Sequence, residues 1–275
     1  MALLHINFES QYLNSNTDVN IILPDKPRKT EPSDFYGNGE KYKVLWLLHG
    51  TYGDYTDWVR KSNIELYACE KDLIVVMPSA LNSNYSNWGC MMGYNMYDFL
   101  IKELMPLVHN WFPASDKRED NFISGLSMGG EGALKYAVNF PELFGGVAVL
   151  SMYPRDWKNM NPEKTKVGKR DLNSYANAGG WENFVNSYED IRGILKEQKN
   201  TGLLPKMYFA CGDKDFLYNG YTEFKLWAEK EKLDILFEEV PGFIHEWRFW
   251  DMAIQKALDF FGQENKPVEE DDFDD

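Results

Sequence analysis

Asn121-Phe122-Ile123-Ser124-Gly125-Leu126-Ser127-Met128-Gly129-Gly130 is the stretch on which the reading of this chain turns. Its first half, Asn121 to Gly125, is a short apolar run of strand length. Helical spacing then runs from Gly129 to Asn139. Between them lies Gly125-Leu126-Ser127-Met128-Gly129, a serine framed by two glycines at a strand-to-helix junction. Such a junction is a sharp turn that lifts the serine oxygen above the end of a sheet. A side chain at 125 or 129 would crowd the turn, which is the physical reason for glycine at both. The serine would also sit at the N-terminus of the helix, where free N–H groups favour developing negative charge. G-x-S-x-G occurs by chance in many proteins as a plain glycine-rich turn. The strand before it and the helix after it make Ser127 a candidate nucleophile.

Outward from this turn, short apolar runs alternate with helical spacing. Leu4-His5-Ile6-Asn7-Phe8 and Val19-Asn20-Ile21-Ile22-Leu23 read as antiparallel strands with a turn at Leu13 to Thr17. Val44-Leu45-Trp46-Leu47-Leu48 and Leu73-Ile74-Val75-Val76-Met77 are continuous apolar runs, as in strands buried on both faces. Strands are also expected at 146–150, 206–210 and 235–240. Helices are expected at 63–71, 96–112 with a kink at Pro106, 183–196, 221–232 and 246–261. The order predicts an α/β fold with a mostly parallel central sheet, mixed by its two leading strands and covered by helices on both faces. One domain over 1–265 is expected. Residues 152–182 have no clear period and are expected to form an inserted lid. The acidic end, 266–275, is expected to be a solvated, disordered tail.

A serine hydroxyl is a weak nucleophile and needs a base within hydrogen-bond reach. The chain has only four histidines. His5 falls in the first strand, His49 precedes the serine, and His109 falls inside the helix expected at 96–112. His245 lies in a loop after the last strand and before the last helix. Loops at the carboxyl ends of strands form the sites of such sheets, so His245 is the expected base. The acid should lie between Ser127 and His245. Asp213 and Asp215 both follow the strand Lys206 to Ala210. Asp215 precedes the apolar pair Phe216-Leu217 and is the better placed to point inward, whereas Asp213 beside Lys214 suits a solvated turn. The oxyanion donors expected are the backbone N–H groups of Met128 and of Thr51, the latter in the loop that begins Leu48-His49-Gly50-Thr51.

Composition mainly excludes. A formal charge of −14, from 29 basic and 43 acidic residues, argues against nucleic acid as a partner. No run approaches 18 apolar residues, so a membrane span is not expected. The start lacks the pattern of a signal peptide, which suits a soluble chain, intracellular or already processed. Cys69, Cys90 and Cys211 have neither metal-ligand spacing nor an even-numbered disulfide framework, so neither metal nor cofactor is expected. Aromatic residues make up 15% of the chain. Trp58, Trp88, Trp157 and Trp181 fall in loops beside the inferred site and are candidates for stacking on a substrate. Any one of them is as readily explained as packing the lid onto the core.

With these residues in place, the chain resembles the esterase D-like family of α/β hydrolases. That family includes S-formylglutathione hydrolases, tributyrin esterases and the feruloyl esterases of carbohydrate esterase family 1. The landmarks are Leu47-Leu48-His49-Gly50, Leu73 to Pro78, Gly125 to Gly130, Asp215-Phe216-Leu217-Tyr218 and His245-Glu246-Trp247, spanning the chain to about Gly262. They look closer to the tributyrin and feruloyl branch than to the glutathione-linked one. The resemblance implies a serine carboxylesterase with Ser127, Asp215 and His245 as nucleophile, acid and base. It implies an ester partner that is a small molecule or is attached to polysaccharide, with a hydroxycinnamoyl ester of plant cell wall, as in xylan degradation, the leading substrate. A general short-chain acyl or acetyl esterase is the alternative, and an inactive hydrolase fold used for binding is a third. Oligomeric state and compartment are left open by the sequence.

Overall fold

β1 (Ala2–Ser10) and β2 (Ser15–Leu23) form an antiparallel hairpin, Ala2 opposite Leu23 and Ser10 opposite Ser15. β2 then pairs antiparallel with β4 (Ile74–Pro78). From there the pairing is parallel throughout: β4 on β3 (Val44–Leu48), β3 on β7 (Asn121–Leu126), β7 on β8 (Gly146–Leu150), β8 on β9 (Lys206–Gly212) and β9 on β10 (Ile235–Val240). The eight-stranded order is β1-β2-β4-β3-β7-β8-β9-β10, and β5 (Asn87–Trp88) with β6 (Tyr94–Asn95) makes a separate two-stranded ribbon. The computed structural model describes residues 2–266 apart from 25, 28, 90–92 and 161–167. The acidic stretch 267–275 therefore lies outside the described residues.

The unbroken apolar runs have a simple cause. Side chains of a strand alternate between faces, and here both faces are covered. In β3, Val44, Trp46 and Leu48 pack into one cluster with the helices Met96–Phe99 and Met128–Asn139. Leu45 and Leu47 point the other way, against the helices Ile64–Glu70 and Trp247–Phe260. Every residue of β3, β4 and β8 is buried. β10 closes the far edge with an alternating, half-exposed pattern. This is the mostly parallel α/β-hydrolase architecture that the sequence predicts.

Two expectations are corrected. The helix at 96–112 does not simply bend at Pro106: it is α-helical over Met96–Phe99, π-helical over Leu100–Leu104 and α-helical again over Met105–Trp111. Pro106 lacks an N–H and its ring crowds the carbonyl four residues back, and the wide turn just before it accommodates that defect. The helix at 183–196 is two helices, Trp181–Val185 and Ile191–Gln198, the second capped by the Asp190 side chain on the Gly193 N–H. The segment 152–182, of which 161–167 lie outside the described residues, has local structure of its own. It contains the helix Lys169–Asn177, and Trp157, Tyr175, Phe184 and Val185 close into a small apolar cluster of their own. Four aromatic edge contacts at 4.5–5.9 Å, such as Tyr175 on Phe184 and Trp157 on Tyr175, build it without helical periodicity.

Candidate active site

The turn after β7 carries the strain expected of it. Ser127 has φ +52° and ψ −118°, a conformation that costs a residue with a side chain on the order of 1–3 kcal/mol. Its N–H donates to the Leu150 carbonyl at 2.8 Å and its own carbonyl accepts from the Glu131 N–H at 3.1 Å, so the neighbouring strand and the first helical turn hold it from both sides. The framing glycines are required by contact. A Cβ on Gly125 would lie 2.4 Å from the Gly129 carbonyl group, and one on Gly129 would lie 2.4 Å from the Leu48 oxygen and 2.6 Å from that of His49. These are backbone atoms that cannot swing aside. Gly129→Ala is accordingly expected to lower unfolding stability by about 1–3 kcal/mol in a denaturant titration. An unchanged midpoint would mean that the turn is not held as tightly as these contacts indicate.

His245 lies in the loop after β10, and its Nδ1 is 2.8 Å from Oδ2 of Asp215, in the loop after β9. Asp215 is 5% exposed. Burial would raise its pKa, but the His245 ring, the Leu217 N–H at 2.9 Å and the Ser151 hydroxyl outweigh it and hold the carboxyl below its ordinary range. Ser151 is fixed in turn by accepting from the Trp250 indole at 2.9 Å. The imidazole is wedged between Phe216 and Trp250, with ring centroids 4.5 and 4.9 Å away. Asp213 is turned elsewhere: its Oδ1 accepts from the Gly242 N–H at 2.7 Å, pinning the loop that carries His245.

The other histidines are occupied. His49 is buried, and burial lowers its pKa, so it is neutral. Its Nε2 accepts from the Ala80 N–H at 2.9 Å and its Nδ1–H donates to the Gly50 carbonyl at 2.7 Å, strapping the loops after β3 and β4 together. His109 contacts Asn121 and the edge of Trp46, and His5 pairs with Asp18 on the surface hairpin.

Ser127 and His245 line one open cleft of about 730 Å³, with Thr51 and Met128 on its wall. All four stand at carboxyl ends of strands, where loops from separate strands converge. The structure places none of the four candidate tryptophans on that wall. Trp58 is 1% exposed and donates to the Leu48 carbonyl at 3.1 Å, an anchor beneath the β3 loop. Trp157 and Trp181 pack in the separate aromatic cluster, and Trp88 lies on the β5–β6 ribbon. Long aromatic side chains in loops are more easily satisfied by burial than by waiting for a ligand. The aromatic wall is instead Tyr52, Tyr153, Phe216, Trp247 and Trp250. Phe216 adjoins Asp215 and Trp247 follows His245 by two, so adjacency to the expected acid and base was a usable signal.

Charged groups complete the lining. Glu131, one turn along the helix from Ser127, has its pKa raised by burial, against the pull of Lys135 and Arg155. Arg155 pairs with Asp171 at 2.6 Å, and Asp57 with Lys61 at 2.8 Å. Arg170 Nη1 donates to the Thr51 hydroxyl at 2.6 Å. Nothing in the motifs singles these out: Asp57–Lys61 and Glu131–Lys135 are ordinary pairs four residues apart, and Arg155 and Arg170 meet partners 16 and 119 positions away. Among the described residues no group of three or more His, Cys, Asp or Glu could hold a metal ion, and no helix is long and apolar enough to cross a membrane.

The profile of the esterase family described as "Putative esterase" matches residues 10–260. An acetyl esterase of Caldicellulosiruptor saccharolyticus is 33% identical over 278 residues, covering 96% of this chain and 99% of its own. Among solved structures, an S-formylglutathione hydrolase of Staphylococcus aureus superposes with a TM-score of 0.78 at 30% identity, over 94% of this chain and 98% of its own. A ferulic acid esterase reaches 0.70 at 23% identity, over 94% and 97%, and shares the fold.

Proposed function

The chain belongs to this esterase family and is a carboxylic-ester hydrolase, and from that premise we propose that Ser127, His245 and Asp215 carry out its reaction through an acyl-enzyme. The observation that carries the assignment is the strained Ser127 turn opening onto the cleft that also holds the His245–Asp215 pair. Ser127 Oγ attacks the ester carbonyl as Nε2 of His245 takes its proton. Asp215 keeps the other ring proton on Nδ1 and stabilises the imidazolium. The N–H groups of Met128 and Thr51 receive the oxyanion. Collapse expels the alcohol, which leaves with the proton from His245, and water then cleaves the acyl-serine by the same two steps in reverse roles.

For the acyl group, the reading best supported is acetyl or another short chain. The full-length acetyl esterase relative favours it, and so does the withdrawal of all four candidate tryptophans from the cleft. One observation favours a hydroxycinnamoyl ester as the second reading: Tyr52 and Phe216 on the wall are 90% and 75% exposed, free to stack on an aromatic acid. Esters with one leaving group separate the two. The kcat/KM for 4-nitrophenyl acetate is expected to exceed that for 4-nitrophenyl ferulate by ~10-fold or more, about 1.4 kcal/mol of transition-state binding. A preference for ferulate would move the substrate to the second reading.

A further inference from the structure

The cations that line the cleft are not partnered alike. The chain as a whole carries 43 acidic residues against 29 basic ones, so a cation has many available partners. Around the cleft most have taken one. Lys61 is neutralised by Asp57, and Arg155 by Asp171, with Glu131 close by. Arg170 is different. Its partner among the described residues is the neutral Thr51 hydroxyl, and Glu246, the residue after His245, lines the same cleft without pairing to it. The Thr51 contact engages one Nη1–H and restrains the guanidinium. The rest of a fork suited to a planar two-oxygen anion is left for a ligand. Arg170 is also anchored from below, because the next residue, Asp171, is buried and tied to Arg155 and to the Gly168 N–H. Such a preorganised cation costs little entropy to use.

Resting on the catalytic reading above, we propose that the ester this cleft accepts carries a carboxylate, and that Arg170 reads it. Thr51 links the two events: its side chain orients the guanidinium and its backbone N–H faces the reacting carbonyl. The anion would therefore lie close to the scissile bond, on either its acyl or its alcohol side. With a short acyl group the alcohol side is the one with room.

Binding to the Ser127→Ala chain tests this without requiring turnover, so its result is independent of whether the catalytic assignment holds. Two matched pairs distinguish the sides. 3-Acetoxybenzoate against its methyl ester carries the charge on the alcohol. Mono-4-nitrophenyl adipate against 4-nitrophenyl hexanoate carries it on the acyl chain. In at least one pair the anionic member is expected to bind ~10-fold more tightly than the neutral one, as for a charge-assisted hydrogen bond. Adding Arg170→Gln should remove that preference, Arg170→Lys should restore part of it, and raising the salt should weaken it. Equal binding of both members in both pairs, or a preference that survives Arg170→Gln, would overturn the proposal. Turnover of 4-nitrophenyl acetate by the unmodified chain tests the catalytic reading separately.

Discussion

Ser127→Ala is expected to fold normally and to lose at least ~10³-fold in kcat, with KM little changed. The hydroxyl is the only group removed, so the cleft, the His245–Asp215 pair and the backbone donors persist, and substrate binds to a site that cannot form the acyl-enzyme. An alkyl fluorophosphonate should label the unmodified chain at Ser127 and leave the variant unlabelled. The backbone offers an independent check. Ser127 sits at φ +52°, where any Cβ is strained. Alanine keeps that strain and should unfold close to the wild-type midpoint. Ser127→Gly, equally inactive, removes it and should be more stable by about 1 kcal/mol. Substantial activity in either variant would remove Ser127 from the reaction. A glycine variant no more stable than the alanine one would mean that the turn is not strained.

The sheet was legible because buried parallel strands write themselves as unbroken apolar runs. Val44–Leu48 and Gly146–Leu150 are found where the runs stand, to the residue. The proposed catalytic residues could be picked out at the strand ends for a related reason. The order strand, Gly125 to Gly129, helix leaves one geometry for Ser127, and four histidines leave few choices for a partner. What was not legible depends on contacts between distant segments. Arg170 reaches Thr51 across 119 positions, and Lys135, wholly buried, is held by Glu189 at 2.8 Å, with Asn84 and Ser86 completing its shell. No local period encodes such pairs. The four candidate tryptophans lie off the cleft wall for a related reason. Position in a loop near the site says nothing of which way a ring turns, and the apolar cluster around Trp157 offered a closer place to bury it.

Exchanging the two aspartates after β9 should separate them by a wide margin. Asp215→Asn is expected to lower kcat by ~10³-fold or more, and Asp213→Asn by less than ~3-fold. Asp215 accepts from both Nδ1–H of His245 and the Leu217 N–H. An amide in its place has one acceptor oxygen for these two donors. If the oxygen serves Leu217, the NH2 faces the ring, Nδ1 must become the acceptor, and the ring proton moves to Nε2. In that tautomer His245 cannot take the Ser127 proton. Asp213 has a different task, accepting from the Gly242 N–H, and an asparagine oxygen can do the same. Acid titration gives a second signature of the same carboxylate. Asp215 is held below its ordinary 3.8, so its ionised form stabilises the fold at all pH values above about 3.8, and that contribution is lost as pH falls through the lower folded value. The difference in unfolding free energy between wild type and Asp215→Asn should thus be flat from neutral pH to about pH 4, as far as this group contributes. Below that it should move against the wild type. A larger kinetic loss at 213 than at 215 would transfer the role of acid to Asp213. A stability difference that stays flat through the acid range would mean that Asp215 is not held ionised by His245, Leu217 and Ser151.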